Sequence, residues 1–171
     1  MQISSYNSLN EIFFLQFEKY QNEDHLFFNN LNLKKFQTYT WADTNNNVLK
    51  LAKFLNEKKI IKGDRVLLVS ENRPEWLIAD LAILLNSGIT VPNYTTYTVN
   101  DFAFTINDCK PSGLIVSSPQ LLKNILLAAR KINYNFNFII LLNETNEVVA
   151  DNVINFSTII EKKIDIEETK I

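Results

Sequence analysis

The apolar positions of the chain switch between two periods, and the switches mark out its elements. From Ser8 the spacing is helical. Ile12, Phe13, Phe17 and Tyr20 fall roughly on one face, and Ser8-Leu9-Asn10-Glu11 reads as a capping box. Two stretches of strand character follow, His25–Asn29 and Lys35–Tyr39, joined by an Asn-rich turn. Thr40-Trp41-Ala42-Asp43 opens a second helix. Val48, Leu51, Ala52 and Leu55 repeat at i, i+3, i+4 and i+7, Lys50, Lys53, Glu57 and Lys58 take the wet side, and the helix is expected to stop near Lys58 or Lys59.

From Arg65 the pattern becomes one of buried strands alternating with helices. Arg65–Ser70 is a continuous apolar run, as in a strand covered on both faces. Pro74 suits the first turn of a helix reaching Asn86, apolar nearly all round and so expected to be largely buried. Ser87-Gly88 supplies the stop, with Gly88 expected in the left-handed conformation. Strand Ile89–Pro92 comes next, then a helix from Thr98 with Val99, Phe102, Ala103 and Ile106 inward. Strand Leu114–Ser117 leads into a helix capped by Ser118-Pro119 and running to about Lys131, and Phe136–Leu142 is the last strong strand. Asn143–Val153 reads as a loop and Phe156–Lys163 as a short helix. The strand units begin near positions 65, 89, 113 and 137, the length of one strand, one crossover helix and two connections, without sequence repetition. The expected fold class is α/β: a parallel sheet with helices on both faces and right-handed crossovers, preceded by an amino-terminal helix and short β-hairpin. No Pro/Gly/Ser linker divides residues 1–171, so one domain is expected: 1–40 helix and hairpin, 41–142 βα units, 143–171 loop and short helix.

Composition narrows the function. There are three glycines, 25 residues apart, where a chain of this length averages about twelve. A phosphate-cradling loop needs several together, so no P-loop or dinucleotide fingerprint can be written. One Cys and one His make neither a disulfide nor a Cys/His zinc site. Seventeen basic against nineteen acidic residues give no electrostatic case for nucleic acid. The longest clean apolar run, Leu81–Leu85, is too short for a transmembrane segment, and the start lacks a signal-peptide pattern, so a cytoplasmic protein is expected. Asn is abundant, 23 copies, and Asn45-Asn46-Asn47 is read as compositional bias at surface positions.

Few residues carry candidate chemistry. Ligands of such sheets bind beyond the carboxyl ends of the strands. Those segments are Ser70–Pro74, Pro92–Thr98, Ser117–Pro119 and Asn143–Asn146, and Glu71, Arg73 and Glu75 are the charges nearest a strand end. His25 has no nucleophile nearby in sequence and reads as structural or solvated. Cys109 reads as a small buried residue, and Asp101 as a helix cap rather than half of a carboxylate pair with Asp108. Tyr20 and Tyr39 read as core or rim packing. The segment Pro92–Thr98 holds two Tyr and three Thr between a strand end and a helix cap. It is either a binding loop or a connection whose hydroxyls satisfy its own backbone. No metal site and no catalytic constellation emerge.

An ordered set of residues then resembles a known family. Tyr39-Thr40-Trp41-Ala42-Asp43, Lys62-Gly63-Asp64-Arg65-Val66, Glu71-Asn72-Arg73-Pro74-Glu75-Trp76 and Asn86-Ser87-Gly88-Ile89-Thr90-Val91-Pro92 are similar, in this order and at similar spacing, to the adenylate-forming enzymes. The likeness is greatest to the AMP-forming acyl-CoA synthetases of the medium- and long-chain type. It extends from the opening helix Ser8–Tyr20 to Leu142. It implies a partial adenylate-forming fold and an enzyme that joins a fatty acid to AMP from ATP, with magnesium, then transfers the acyl group to CoA.

The family's Pro-Lys-Gly loop, magnesium-binding glutamate, ribose-binding aspartate and lid lysine have no counterpart among the 171 residues. The resemblance therefore implies an amino-terminal portion, inactive alone, whose partner is the remainder of the ligase and whose substrates, in the whole enzyme, are fatty acid, ATP and CoA. Peripheral membrane association is compatible with such a substrate. In some relatives the stretch matching Tyr94, Thr95 and Thr96 lies against the CoA nucleotide, with glycines where this chain has Thr95 and Thr96. The alternatives are a free-standing α/β binding or interaction module and, on fold grounds alone, a flavodoxin-like or nucleotide-binding protein. An apolar, exposed sheet side is expected if a missing portion normally covers it.

Overall fold

A computed structural model describes residues 6–30, 35–143 and 152–162. Helix α1 (Leu9–Tyr20) begins at Ser8, whose hydroxyl accepts from the Glu11 N–H. The expected box is displaced by one residue: the Glu11 carboxylate accepts from the backbone of Asn7, not Ser8. Strands β1 (Asp24–Asn30) and β2 (Lys35–Thr40) form the hairpin. Residues 31–34 of its expected turn lie outside the described residues. Helix α2 (Trp41–Glu57) starts from a full capping box, in which Thr40 and Asp43 satisfy each other's amides. Two further first-turn amides, of Trp41 and Ala42, donate to the carbonyls of Glu23 and Gln21.

Five parallel strands make the second sheet: β3 (Arg65–Val69), β4 (Ile89–Asn93), β5 (Gly113–Val116), β6 (Phe138–Leu141) and β7 (Val153–Asn155), in spatial order β4-β3-β5-β6-β7. Helices α3 (Pro74–Leu85), α4 (Val99–Cys109) and α5 (Pro119–Lys131) make the crossovers, and α6 (Phe156–Ile160) follows β7. Successive strand residues point to opposite faces, and the two cores obey that alternation. Val66, Leu68, Ile115, Phe138 and Ile140 pack with α1, α2, α3 and α6, while Leu67, Val69, Leu114, Val116, Ile139 and Leu141 pack with α4 and α5.

Several expectations need correction. The sheet has no exposed apolar face, because helices of this same chain cover both sides. Exposed apolar groups are scattered instead over the hairpin (Phe27, Phe36), α1 (Leu9, Leu15), α5 (Leu127), α4 (Phe104), β4 and the loop after it (Ile89, Tyr94) and the connection before β3 (Ile61). Strand β7 falls partly in the expected loop; its three residues are too few to show a period, and β6 supplies the pairing. Residues 144–151 of that loop, and Lys163 of the expected last helix, lie outside the described residues. On α3, Trp76, Leu77, Leu84 and Leu85 are only half-buried. Asn45 and Asn47 are buried and only Asn46 is exposed, since the helical period carries the tract into the face that α2 turns inward.

Gly88 is not the left-handed residue. Ser87 takes that conformation, with φ 55°. The Ser87 N–H donates to Leu84 and the Gly88 N–H to Ile83, a Schellman ending with Ser at its left-handed position. Gly88 is required for space: a Cβ there would sit 3.0 Å from the Ile83 Cγ2 and 3.3 Å from the Asp64 carbonyl oxygen.

Candidate functional site

The switch of winding direction lies between β3 and β5, since β4 is added on one side of β3 and β5 on the other. The loops beyond the carboxyl ends of these strands form the expected ligand position of such a sheet. Here Arg73 precedes α3 without capping it by a side-chain hydrogen bond. Its Nε pairs with Glu75 at 2.7 Å, and its Nη1 donates to the Asn143 amide oxygen at 2.6 Å. This ties the start of α3 to the end of β6. Tyr39 stands near; burial pushes its phenol up, Glu75 adds to the rise, and Arg73 opposes it.

Beneath this bridge Ser117 continues β5, its amide donating to Val69 and its carbonyl accepting from Asn143. Its hydroxyl is fully buried and has no partner among the described residues. The positions of Arg73 and Glu75 at a strand end were legible in the sequence. Their link to Asn143 was not, since 70 residues separate the partners.

The second loop follows β4. Tyr94 is 73% exposed, and its ring meets Tyr97 edge-on at 5.6 Å. Tyr97 turns inward against Phe102. The Thr98 hydroxyl accepts from the Asp101 amide and donates to its carboxylate, which holds that carboxyl below the usual range. Thr95 and Thr96 use their side chains in no hydrogen bond among the described residues, so Thr98 alone of the three threonines serves the local backbone. Tyr94, Thr95 and Thr96 follow one another on a half-exposed loop, and no hydrogen bond or ring contact among the described residues links them to the Arg73 cluster.

The remaining candidates divide. Cys109 is half-buried, and burial pushes its thiol up, away from a reactive thiolate. His25 is half-buried, stacks on Trp41 at 3.7 Å and hydrogen-bonds Thr44, a pairing across 19 residues that sequence reading missed. Among the described residues no three His, Cys, Asp or Glu side chains gather as a metal site. No glycine cluster lines either loop. The described residues of these loops therefore do not fit ATP phosphates or magnesium.

The family model of the AMP-binding enzymes matches residues 13–156. The chain belongs to that family. A 62-residue stretch is 34% identical to fatty acyl-CoA synthetase A of Dictyostelium discoideum, covering 36% of this chain and 9% of that protein. The long-chain-fatty-acid–CoA ligase of Bacillus subtilis is 33% identical over 76 residues, 44% of this chain and 14% of the relative. Human long-chain-fatty-acid–CoA ligase 6 is 34% identical over 85 residues, 48% and 12%.

Among solved structures, the luciferase-like enzyme of the mealworm Zophobas morio superposes with a TM-score of 0.81 at 18% identity, over 98% of this chain and 38% of its own. The anthranilate CoA ligase AuaEII gives 0.77 at 18% identity, over 94% and 29%. At such identities the structures show a shared fold, which accords with the expected parallel α/β architecture. The matched stretch of this AMP-binding family member is under two-fifths of each of these relatives. No helix among its described residues is long and apolar enough to cross a membrane.

Proposed function

We propose that the chain is the amino-terminal part of an AMP-forming long-chain fatty acid–CoA ligase, a scaffold that does not activate fatty acid alone. The carrying observation is the match of the family model across the helix, hairpin and βα units together. Named fatty acyl-CoA ligases among the relatives support the substrate class. ATP, magnesium and CoA would then be handled by the complete enzyme, and the main partner of this chain is the remainder of the ligase. The test is pyrophosphate release by the purified chain with long-chain fatty acid, ATP, magnesium and CoA. The expected result is no release above a blank. Clear turnover would overturn the claim of inactivity.

In the complete enzyme, Tyr94, Thr95 and Thr96 contact the CoA nucleotide. Supporting this are the exposed Tyr94 ring, able to stack on a base, and two hydroxyls with no local duty. A second reading, a free-standing binding or interaction module, is favoured by helices that cover both sheet faces within this chain. Sedimentation and thermal melting separate them. A monodisperse monomer with one cooperative transition supports the module; self-association or a non-cooperative melt supports a part that needs its remainder.

A further inference from the structure

We propose that the His25 imidazole is a proton-responsive clasp, holding the hairpin and α1 against the start of α2 and loosening when it gains a proton. The backbone places it for this. Asp24 pairs with Thr40 and Leu26 with Tyr39, so His25 is the extra residue of a β-bulge. Bulges re-aim the side chain they carry. Here the ring lies on Trp41, the first residue of α2, with 17° between the planes. Phe13 of α1 stands 6.1 Å from the His25 ring and 5.8 Å from Trp41, and Tyr20 stands 6.3 Å from Trp41. One imidazole thus sits where hairpin, α1 and α2 meet.

The hydrogen-bond partners fix its tautomer. The Thr44 hydroxyl has one hydrogen and donates it to the Thr40 carbonyl. Its oxygen, 3.1 Å from His25 Nδ1, can then only accept, so Nδ1 carries the proton in the neutral ring. Added acid must protonate Nε2, which has no acceptor among the described residues.

Neighbouring charges offer no relief. Asp43 on α2 is spent on the Thr40 amide and hydroxyl, Asp24 accepts from Thr38, and on α1 Glu11 is held by Asn7 and Lys19 lies over the Tyr20 ring. On α3, Glu75 is paired with Arg73. Glu18, Glu23, Lys35, Asp80 and, further along α2, Lys50, Lys53 and Glu57 complete the charged groups among the described residues of these elements and their connections, and none pairs with the ring. Stacking on Trp41 would favour a cation modestly, but burial acts in the opposite direction and lowers the affinity for the proton.

Opening the hairpin returns the ring to water, with its ordinary pKa near 6.5. Between about pH 7.5 and 5.5 the opening constant should therefore rise, by at most about tenfold if the closed ring stays neutral. Hydrogen exchange of the β1 and β2 amides, corrected for intrinsic rates, reads this change, and His25→Gln, which keeps a donor but does not titrate, should abolish it. An equal rise in His25→Gln would overturn the proposal. So would a neutral ring protonated at Nε2, read by 15N NMR of the unaltered chain, a result independent of whether the variant folds.

Discussion

At the scale of single residues, the chain economises on glycine in an unusual place. Lys59, Ser87 and Asn133 take the left-handed position at the ends of α2, α3 and α5, and Lys110 takes it after α4. An L-residue with a side chain is strained there by about 1–2 kcal/mol, a strain glycine avoids. Ser87→Gly should relieve it, less the greater freedom glycine has when unfolded, for a net gain of about 0.5–1 kcal/mol. A calorimetric melt should show Tm higher by about 1–4 °C; an unchanged or lower Tm refutes this account of the helix end.

Two of the true glycines answer to packing instead. A Cβ on Gly113 would lie 2.1 Å from the Phe138 ring, the residue directly opposite in β6. Gly113→Ala should cost about 3 kcal/mol, more than Gly88→Ala, because its Cβ would overlap the Phe138 ring at 2.1 Å whereas the nearest contact at Gly88 is 3.0 Å. Denaturant midpoints of the two variants give the comparison, and a reversed order would contradict it. From sequence, Gly113 was only a residue before a strand; the ring above it is 25 positions away.

At the scale of elements, helix starts were the most legible features. Ser8, Thr40, Thr98 and Ser118 all cap, because a hydroxyl before a first turn acts on amides three residues on. Thr98→Ala should lower Tm by about 2–4 °C near neutral pH. The Asp101 carboxyl is held low by Thr98, so its contribution is present above the unfolded value near 3.8 and is lost as pH falls below it. The Tm gap between Thr98→Ala and the parent chain should then narrow near pH 3. A constant gap would mean that the carboxylate adds nothing to the cap. Strand β7 and the buried Asn45 and Asn47 were not legible. The first exists through its neighbour, and the second pair are buried by the elements that pack around α2.

At the scale of the whole molecule, the exposed sheet edge is the chief liability. The Ile89 amide donates toward β3, to the Asp64 carbonyl, so alternation turns Thr90 and Pro92 outward along β4. Proline at an outward position removes a donor from the open edge and discourages pairing with another chain. Pro92→Thr restores that donor and should bring concentration-dependent association in sedimentation; a strict monomer at all concentrations would show the proline has no such role. The alternation of buried strands and helices, the caps and the glycine scarcity were set by the sequence, because they depend on neighbours within a few residues. Tertiary structure alone decided strand order, the Arg73–Asn143 bridge, the His25–Trp41 stack and the orphan hydroxyl of Ser117. The strand order, the Arg73–Asn143 bridge and the burial of Ser117 arise when crossovers return the chain to one sheet, the stack arises when the hairpin folds back on the start of α2, and no local period encodes either return.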